Sequence, residues 1–251
     1  MYTLKKSLGQ HFLHDEAMCQ RVVDGVTRKP GLQLLEVGPG GGAITKYLLD
    51  WKEINYRAVE VDHEKVVYLD TTYPDIRGKI IEEDVLRLTN PYEGTFSIIG
   101  NFPYNISSPI MFRVLEWEEN VEEVVGMFQK EVAQRIAAGP GSKMYGILSV
   151  LLQAYFKVEY LFDVPPGCFT PPPKVMSGVV RFSNIQNPYG IASKKAFIRL
   201  VKAAFNQRRK TLRNALRGTL PPEALEDELM TQRAEQLSVE QFAGLYKKYM
   251  V

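Results

Sequence analysis

The sequence predicts an α/β fold: a mostly parallel sheet with helices on both faces and an antiparallel edge, followed by a small all-helical domain. Three observations carry this. From Gln33 to Ala138, short apolar runs alternate with helical patterns, the arrangement that builds a parallel sheet. Two later runs, Lys157 to Val164 and Met176 to Phe182, are separated by the proline-rich Pro165–Pro173 instead of a helix, so they read as an antiparallel edge, in the form of a hairpin. Beyond Asn184–Gly190, which reads as a linker, the apolar residues Phe197, Leu200, Val201, Ala204 and Phe205 fall at helical spacing. These place one domain at residues 1–183 and a second at 190–251.

Composition bounds the function. The chain has 251 residues, 45% hydrophobic and 24% charged, which is ordinary for a soluble globular protein. No apolar segment is long enough to span a membrane, and Met1–Gln10 has lysines but no apolar stretch of the secretory kind. Cys19 and Cys168 form neither a metal-ligand pattern nor a disulfide framework. A cytoplasmic monomer is expected. The net charge of +2 hides an asymmetry. Between Asp163 and Glu223 there is no acidic residue but there are eleven basic ones; the remainder carries 20 (31 less 11) against 29 acidic residues, a net of −9. A basic C-terminal part on an acidic remainder points to a polyanion partner.

Taken in order, the elements gather chemistry at strand ends. Gly9 interrupts any first helix; Asp15 caps one running from Glu16 to about Thr27. Phe12 and Leu13 before it are core anchors or close over a ligand. The strand Gln33–Val37 runs into Gly38-Pro39-Gly40-Gly41-Gly42 and a helix from Ala43 to Leu49. Glycines permit positive φ and close backbone approach, and a helix start offers free N–H groups. Glu36 adds a carboxylate, which suits a cationic, amine-bearing ligand better than a pyrophosphate. The strand Tyr56–Val61 ends in acidic residues, and an acidic residue about 20 positions after such a glycine turn binds ribose hydroxyls. Glu60 is the first choice and Asp62 the alternative. After the strand Lys79–Glu82, Asp84 is placed to accept from an adenine amino group while Val85 packs on the ring.

The fourth strand, Phe96–Ile99, leads into Asn101-Phe102-Pro103-Tyr104 and then Ser107-Ser108-Pro109, a helix start with Ser108 as cap and Pro109 first in the helix. A side-chain amide, a proline-fixed carbonyl and an aromatic face suit a flat base with an exocyclic amino group. A fifth strand, Glu123–Phe128, and helices at Gln129–Ala138 and Tyr145–Phe156 follow. In the proline-rich loop Phe169 is either a stacking platform or a core plug. In the C-terminal part Arg208-Arg209-Lys210 interrupt the helical pattern, Arg213 and Arg217 follow, and Glu223–Glu235 and Ser238–Tyr249 read as shorter helices.

Glu-x-Gly-x-Gly-x-Gly at Glu36–Gly42 resembles motif I of S-adenosylmethionine methyltransferases. With Gly9–Leu13, Asn101–Ser107, Gln129–Val132, Phe169–Val175 and Phe205–Thr211, the chain resembles, almost end to end, the rRNA adenine N6-dimethyltransferase family. His11 stands where the family's Gly-Gln-Asn-Phe-Leu box has Asn, and Phe102 where Leu is commoner. The resemblance implies an S-adenosylmethionine-dependent methyltransferase (Rossmann-like) fold and two methyl transfers to each of two adjacent adenosines. These lie in a hairpin near the 3′ end of small-subunit rRNA, within a pre-ribosomal small subunit. By the match Gly38, Glu60, Asp84 and Asn101 contact S-adenosylmethionine, with His11 and Leu13 from the N-terminal box; Glu36 shapes the pocket, with Gly40 in the glycine turn and Val85 beside the adenine. Lys174, Arg208, Arg209, Lys210 and Arg213 are the expected RNA contacts.

The chemistry follows from the residues. The adenine N6 lone pair is delocalised into the ring. Accepting its N–H hydrogens on the Asn101 side-chain oxygen and the Pro103 carbonyl favours a pyramidal nitrogen aimed at a methyl donor. Tyr104 and Phe169 stack on the base, each worth ~1–3 kcal/mol. The base must leave its stack to reach them, and no metal or general base is required. Alternatives at this level are a large-subunit rRNA methyltransferase of the antibiotic-resistance kind, an NAD-dependent oxidoreductase and a non-catalytic RNA-binding assembly factor.

Overall fold

A computed structural model describes residues 11–251; Gly9 and Gln10 of the N-terminal box lie outside the described residues. Its main sheet has seven strands. β2 (Gln33–Val37), β3 (Asn55–Glu60), β4 (Ile80–Glu82), β5 (Phe96–Asn101) and β6 (Val121–Gln129) pair in parallel, and β9 (Ser177–Asn184) runs antiparallel to β6, with β7 (Phe156–Val164) outermost. The order is β4-β3-β2-β5-β6-β9-β7. After β2 the chain winds outward through β3 and β4, then returns to the other side of β2 for β5. The switch point therefore lies between the carboxyl ends of β2 and β5, where open α/β sheets bind ligands.

Burial explains the strands. In β5 every residue from Phe96 to Gly100 is buried and only Asn101, at the end, is partly open, as expected for a strand covered on both faces. A two-residue pair, β1 (Phe12–Leu13) with β8 (Phe169–Thr170), sets Leu13 opposite Phe169 and ties the N-terminal box to the proline-rich loop. Helix α1 (Glu16–Val23) is capped by Asp15, whose side chain accepts from the Met18 N–H at 2.9 Å. Helix α3 (His63–Thr72) is capped by Asp62.

Several expected boundaries move. The helix after the tetrapeptide, α4 (Ser107–Glu116), starts before Ser108, with Ile106 at the cap position, because the Ile106 N–H already bonds the Pro103 carbonyl. The helix after the glycine turn, α2, spans only Thr45–Leu48. Residues 223–235 form short 3-10 turns, not an α-helix; prolines at 221 and 222 and capping by Asp227 break them up.

The described residues fall into two compact units: 11–133 with 159–184, and 134–158 with 185–251. The division is discontinuous, whereas a linear one at 183/190 was expected. The segment 134–158 groups with the C-terminal residues because α6 (Ile147–Gln153) packs on α7 (Lys194–Asn206) and α9 (Val239–Tyr249). Within this second unit α7 buries Phe197, Leu200, Val201 and Ala204, as its spacing predicted. Phe205 stacks on Phe242 at 5.9 Å and Phe197 meets the Tyr246 ring edge-on. Among the described residues no helix is long and apolar enough to cross a membrane.

Candidate methyl-transfer site

A cavity of about 360 Å³ opens at the switch point, within the size range of small-molecule sites. One wall is the turn after β2. Gly38 and Gly40 sit at φ +68° and +59°, where a side chain is strained, and nothing lies within 4 Å of a Cβ built on Gly38, so the backbone faces open space. The Gly40 N–H donates to Glu60 Oε2 at 3.2 Å, while Glu60 Oε1 accepts from the N–H groups of Val61 and Asp62 at 3.0 Å each. Glu60 thus fixes the glycine turn to the end of β3. Asp62, the alternative, is occupied as the α3 cap.

Glu36 lines the cavity but its carboxylate is 1% exposed. It accepts from Thr45 Oγ1 at 2.9 Å and from the Tyr56 hydroxyl at 2.5 Å. Burial pushes its carboxyl up to about 7, against the pull of the Tyr56 and Thr45 hydrogen bonds. Glu36 is therefore a buried, clamped group under the glycine turn, not the open carboxylate that its spacing predicted.

Asp84 lines the opposite side, its carboxylate accepting from the Leu86 N–H at 2.9 Å. The apolar lining there comes from Leu86; Val85, expected to pack on the ring, is instead buried away from the lining. Lys65, 5% exposed, also lines the cavity beside Gly40 and was missed, since one lysine in a helical pattern carries no signal.

The third wall is the tetrapeptide. Asn101 ends β5, and its Nδ2 donates to the His11 carbonyl at 3.3 Å, which leaves Oδ1 as an acceptor. Pro103 and Tyr104 follow on the lining. The Tyr104 hydroxyl shares a 2.6 Å hydrogen bond with Ser177 Oγ, and burial raises the phenol above its ordinary value, so it stays neutral. The His11 ring lies 5.6 Å from that of Tyr104, and its Nδ1 donates to the Pro171 carbonyl at 2.8 Å. With Leu13 also on the lining, the N-terminal box converges here, and the proline-rich loop backs it through the Pro171 carbonyl. Phe169 does not. It is 2% exposed in the core, opposite Leu13, so the expected stacking platform is corrected to a core anchor.

The basic residues divide. Lys174, Arg209 and Lys210 are exposed. Arg208 is tied down: its guanidinium donates to the Lys143 and Tyr145 carbonyls and pairs with Glu235. Arg213 donates to the Leu225 carbonyl at 3.0 Å and pairs with Glu226.

A sheet that reverses between β2 and β5, with a glycine turn, an acidic end to the next strand and an Asn-Phe-Pro-Tyr corner, defines a Rossmann-like S-adenosylmethionine-dependent methyltransferase. Solved structures of similar fold are a dimethyladenosine transferase from Plasmodium falciparum (TM-score 0.82, 22% identity, 95% of this chain and 97% of that one) and the 23S rRNA methyltransferase ErmE (TM-score 0.71, 24% identity, 94% and 99%). The ribosomal RNA adenine dimethylase family matches residues 1–250. Relatives called ribosomal RNA small subunit methyltransferase A are 50% identical in Flavobacterium johnsoniae (97% of this chain, 95% of the relative) and 49% identical in Bacteroides thetaiotaomicron (96% and 92%). This chain belongs to the ribosomal RNA adenine dimethylase family.

Proposed function

We infer that the protein dimethylates adenine N6 in small-subunit rRNA with S-adenosylmethionine as methyl donor. The observation that carries this reading is the Asn101 amide. Its nitrogen is committed to His11, so its oxygen is the atom left to accept, at the carboxyl end of β5 beside Pro103 and Tyr104. The substrate is proposed to be two adjacent adenosines in a 3′-terminal hairpin of a pre-ribosomal small subunit, met by a cytoplasmic monomer. The exposed basic residues of the second unit, and separately Lys174 of the first, support contact with a polyanion such as RNA.

The cavity's donor set fits the cofactor. Glu60, at the end of β3, has the chemistry to accept from ribose hydroxyls, and Asp84 to accept from an adenine amino group. The open backbone at Gly38 and Gly40 allows close approach, and His11 and Leu13 close the N-terminal side. Glu36 acts beneath, holding the turn through Thr45 and Tyr56. Bound S-adenosylmethionine supplies an electrophilic methyl group.

The residues of this chain then prepare the nucleophile. Tyr104 presents its ring to a base that has left its stack. Asn101 Oδ1 and the Pro103 carbonyl accept the N6–H hydrogens, two in the first transfer and the one that remains in the second, which draws the nitrogen lone pair out of conjugation and aims it into the cavity; N6 releases one proton to water after each transfer. These hydrogen bonds strengthen as N6 pyramidalises, so they favour the transition state over the ground state. Holding donor and acceptor in line supplies much of the remaining acceleration.

The test is tritium transfer from labelled S-adenosylmethionine to unmethylated small subunits, followed by nucleoside analysis. N6,N6-dimethyladenosine in small-subunit rRNA is expected. Label confined to large-subunit rRNA when unmethylated large subunits are offered alongside, or tight binding of small subunits with no transfer, would overturn the reading.

A further inference from the structure

Phe102 is the one member of the tetrapeptide that the mechanism leaves unused, and it is almost completely buried, 1% exposed. Its ring occupies a slot built from two glycines. Gly100 on β5 and Gly126 on β6 are direct partners in the parallel ladder. A Cβ on Gly126 would stand 2.5 Å from the Phe102 ring and 2.8 Å from the Phe128 ring. A Cβ on Gly100 would stand 2.7 Å from the same Phe102 ring and 2.7 Å from the Val37 carbonyl, the last residue of β2 before the glycine turn. Neither glycine has the positive φ that would itself demand glycine, so the reason for both is space. The ring also meets Phe128 edge-on at 5.2 Å, and the Phe102 N–H bonds the Met127 carbonyl at 3.2 Å.

This packing has a mechanical consequence. Phe102 lies between Asn101 and Pro103, the two residues that supply the proposed N6 acceptors. A ring locked into a slot across two strands fixes the backbone on both sides of it. Interiors are packed closely enough that a methyl group in the slot must displace something. The Phe128 ring is backed by Phe182 at 6.1 Å and the Val37 carbonyl belongs to the sheet. The element with the freest exit is Phe102 itself, at the end of β5, and it would take Asn101 and Pro103 with it.

We propose that Phe102, seated on the Gly100–Gly126 pair, is a positioning residue that sets the two acceptor oxygens, so that Gly126, which does not line the cavity, governs the rate of methyl transfer. The inference rests on the function proposed above. It also states an interaction: Leu at 102 ends short of the clashing ring atoms and gives Phe128 room to yield, so it should tolerate a methyl group at 126.

The experiment is a double-mutant cycle on the full chain with Gly126→Ala, Phe102→Leu and the pair. Three quantities are read: single-turnover methyl transfer to unmethylated small subunits, S-adenosylmethionine affinity by calorimetry, and Tm. A misplacement of the order of 1 Å remote from the chemistry can cost about 100-fold in rate, so Gly126→Ala is expected to slow transfer by at least ~10-fold. Its cofactor affinity should stay within about twofold, since every group lining the cavity is kept. Phe102→Leu alone, which leaves a void in the slot and changes a residue on the cavity lining, is expected to slow transfer by a larger factor than it weakens S-adenosylmethionine binding. The double variant should transfer faster than Gly126→Ala, a coupling expected of residues that touch. A parent-like rate in Gly126→Ala overturns the proposal, as does a double variant no faster than Gly126→Ala. If Gly126→Ala does not fold, Phe102→Leu decides: a parent-like rate with a lowered Tm makes the ring a structural plug only. An inactive parent enzyme would instead defeat the proposed function, a result separate from any of these.

Discussion

The cavity at the β2–β5 switch and the basic run of the second unit use charge in opposite ways. In the cavity Glu36 and Glu60 are buried and already committed. Glu60 holds three backbone N–H groups and Glu36 two hydroxyls. Such groups sit where they do whether or not a ligand is present, because leaving a buried charge unsatisfied is costly. In the basic run the charges are exposed, and only some are tethered. Arg208 and Arg213 bond backbone carbonyls and carboxylates, whereas Arg209 and Lys210 project from the turn after α7. The contrast teaches that a charged motif in sequence mixes two populations: one is spent on the protein's own fold and the other is left open to solvent.

The sharpest way to break the comparison is Asn101→Ala. If the cavity is preorganised for the transition state, removing its free acceptor should lower single-turnover methyl transfer about 100- to 1000-fold while RNA affinity barely changes. A parent-like rate at saturating RNA and cofactor would reduce the tetrapeptide to a turn.

Glu60→Ala comes next. Loss of charged hydrogen bonds to ribose, together with release of the Gly40 anchor, should weaken S-adenosylmethionine binding by roughly 1.5–3 kcal/mol. Calorimetry reads this directly, and unchanged affinity would remove Glu60 from the cofactor site.

In the basic run the tethered and free residues should separate. Arg209→Ala with Lys210→Ala should flatten the log–log salt dependence of RNA binding by roughly 0.7–0.9 for each phosphate no longer neutralised, with Tm unchanged. Arg208→Ala should lower Tm and leave that slope nearly intact. Equal slopes for the two variants would erase the distinction.

The last prediction concerns pH. The Glu36 carboxyl is raised in the folded chain to about 7 by burial, above the ordinary value for an unfolded chain near 4.3. Its contribution to stability is therefore fully present below the unfolded value and is lost as pH rises through 7. Glu36→Gln cannot ionise, so its stability relative to the parent should improve between pH 5 and about 8 in denaturant titrations. A stability difference independent of pH across that window would show that Glu36 does not change protonation on unfolding there.

Much of this was legible in the sequence, and the reason is that local signals act locally. Gln33–Val37, the glycine turn, Glu60 at the end of its strand and Asn101 at the end of β5 each follow from apolar runs and turn chemistry over a few residues. The spacing of Phe197, Leu200, Val201 and Ala204 fixed the buried face of α7 in the same way. What only the tertiary structure decided involves partners far apart in the chain. It chose between platform and plug for Phe169 by pairing it with Leu13. It buried Glu36 under hydroxyls from Thr45 and Tyr56, tied Arg208 to the Lys143 and Tyr145 carbonyls, and joined 134–158 to the C-terminal helices. It also set Gly126 beneath the Phe102 ring. A residue's own chemistry can be read where it stands, but whether that chemistry is spent on the fold or left for a ligand depends on which distant groups the packed chain brings within hydrogen-bond or van der Waals reach.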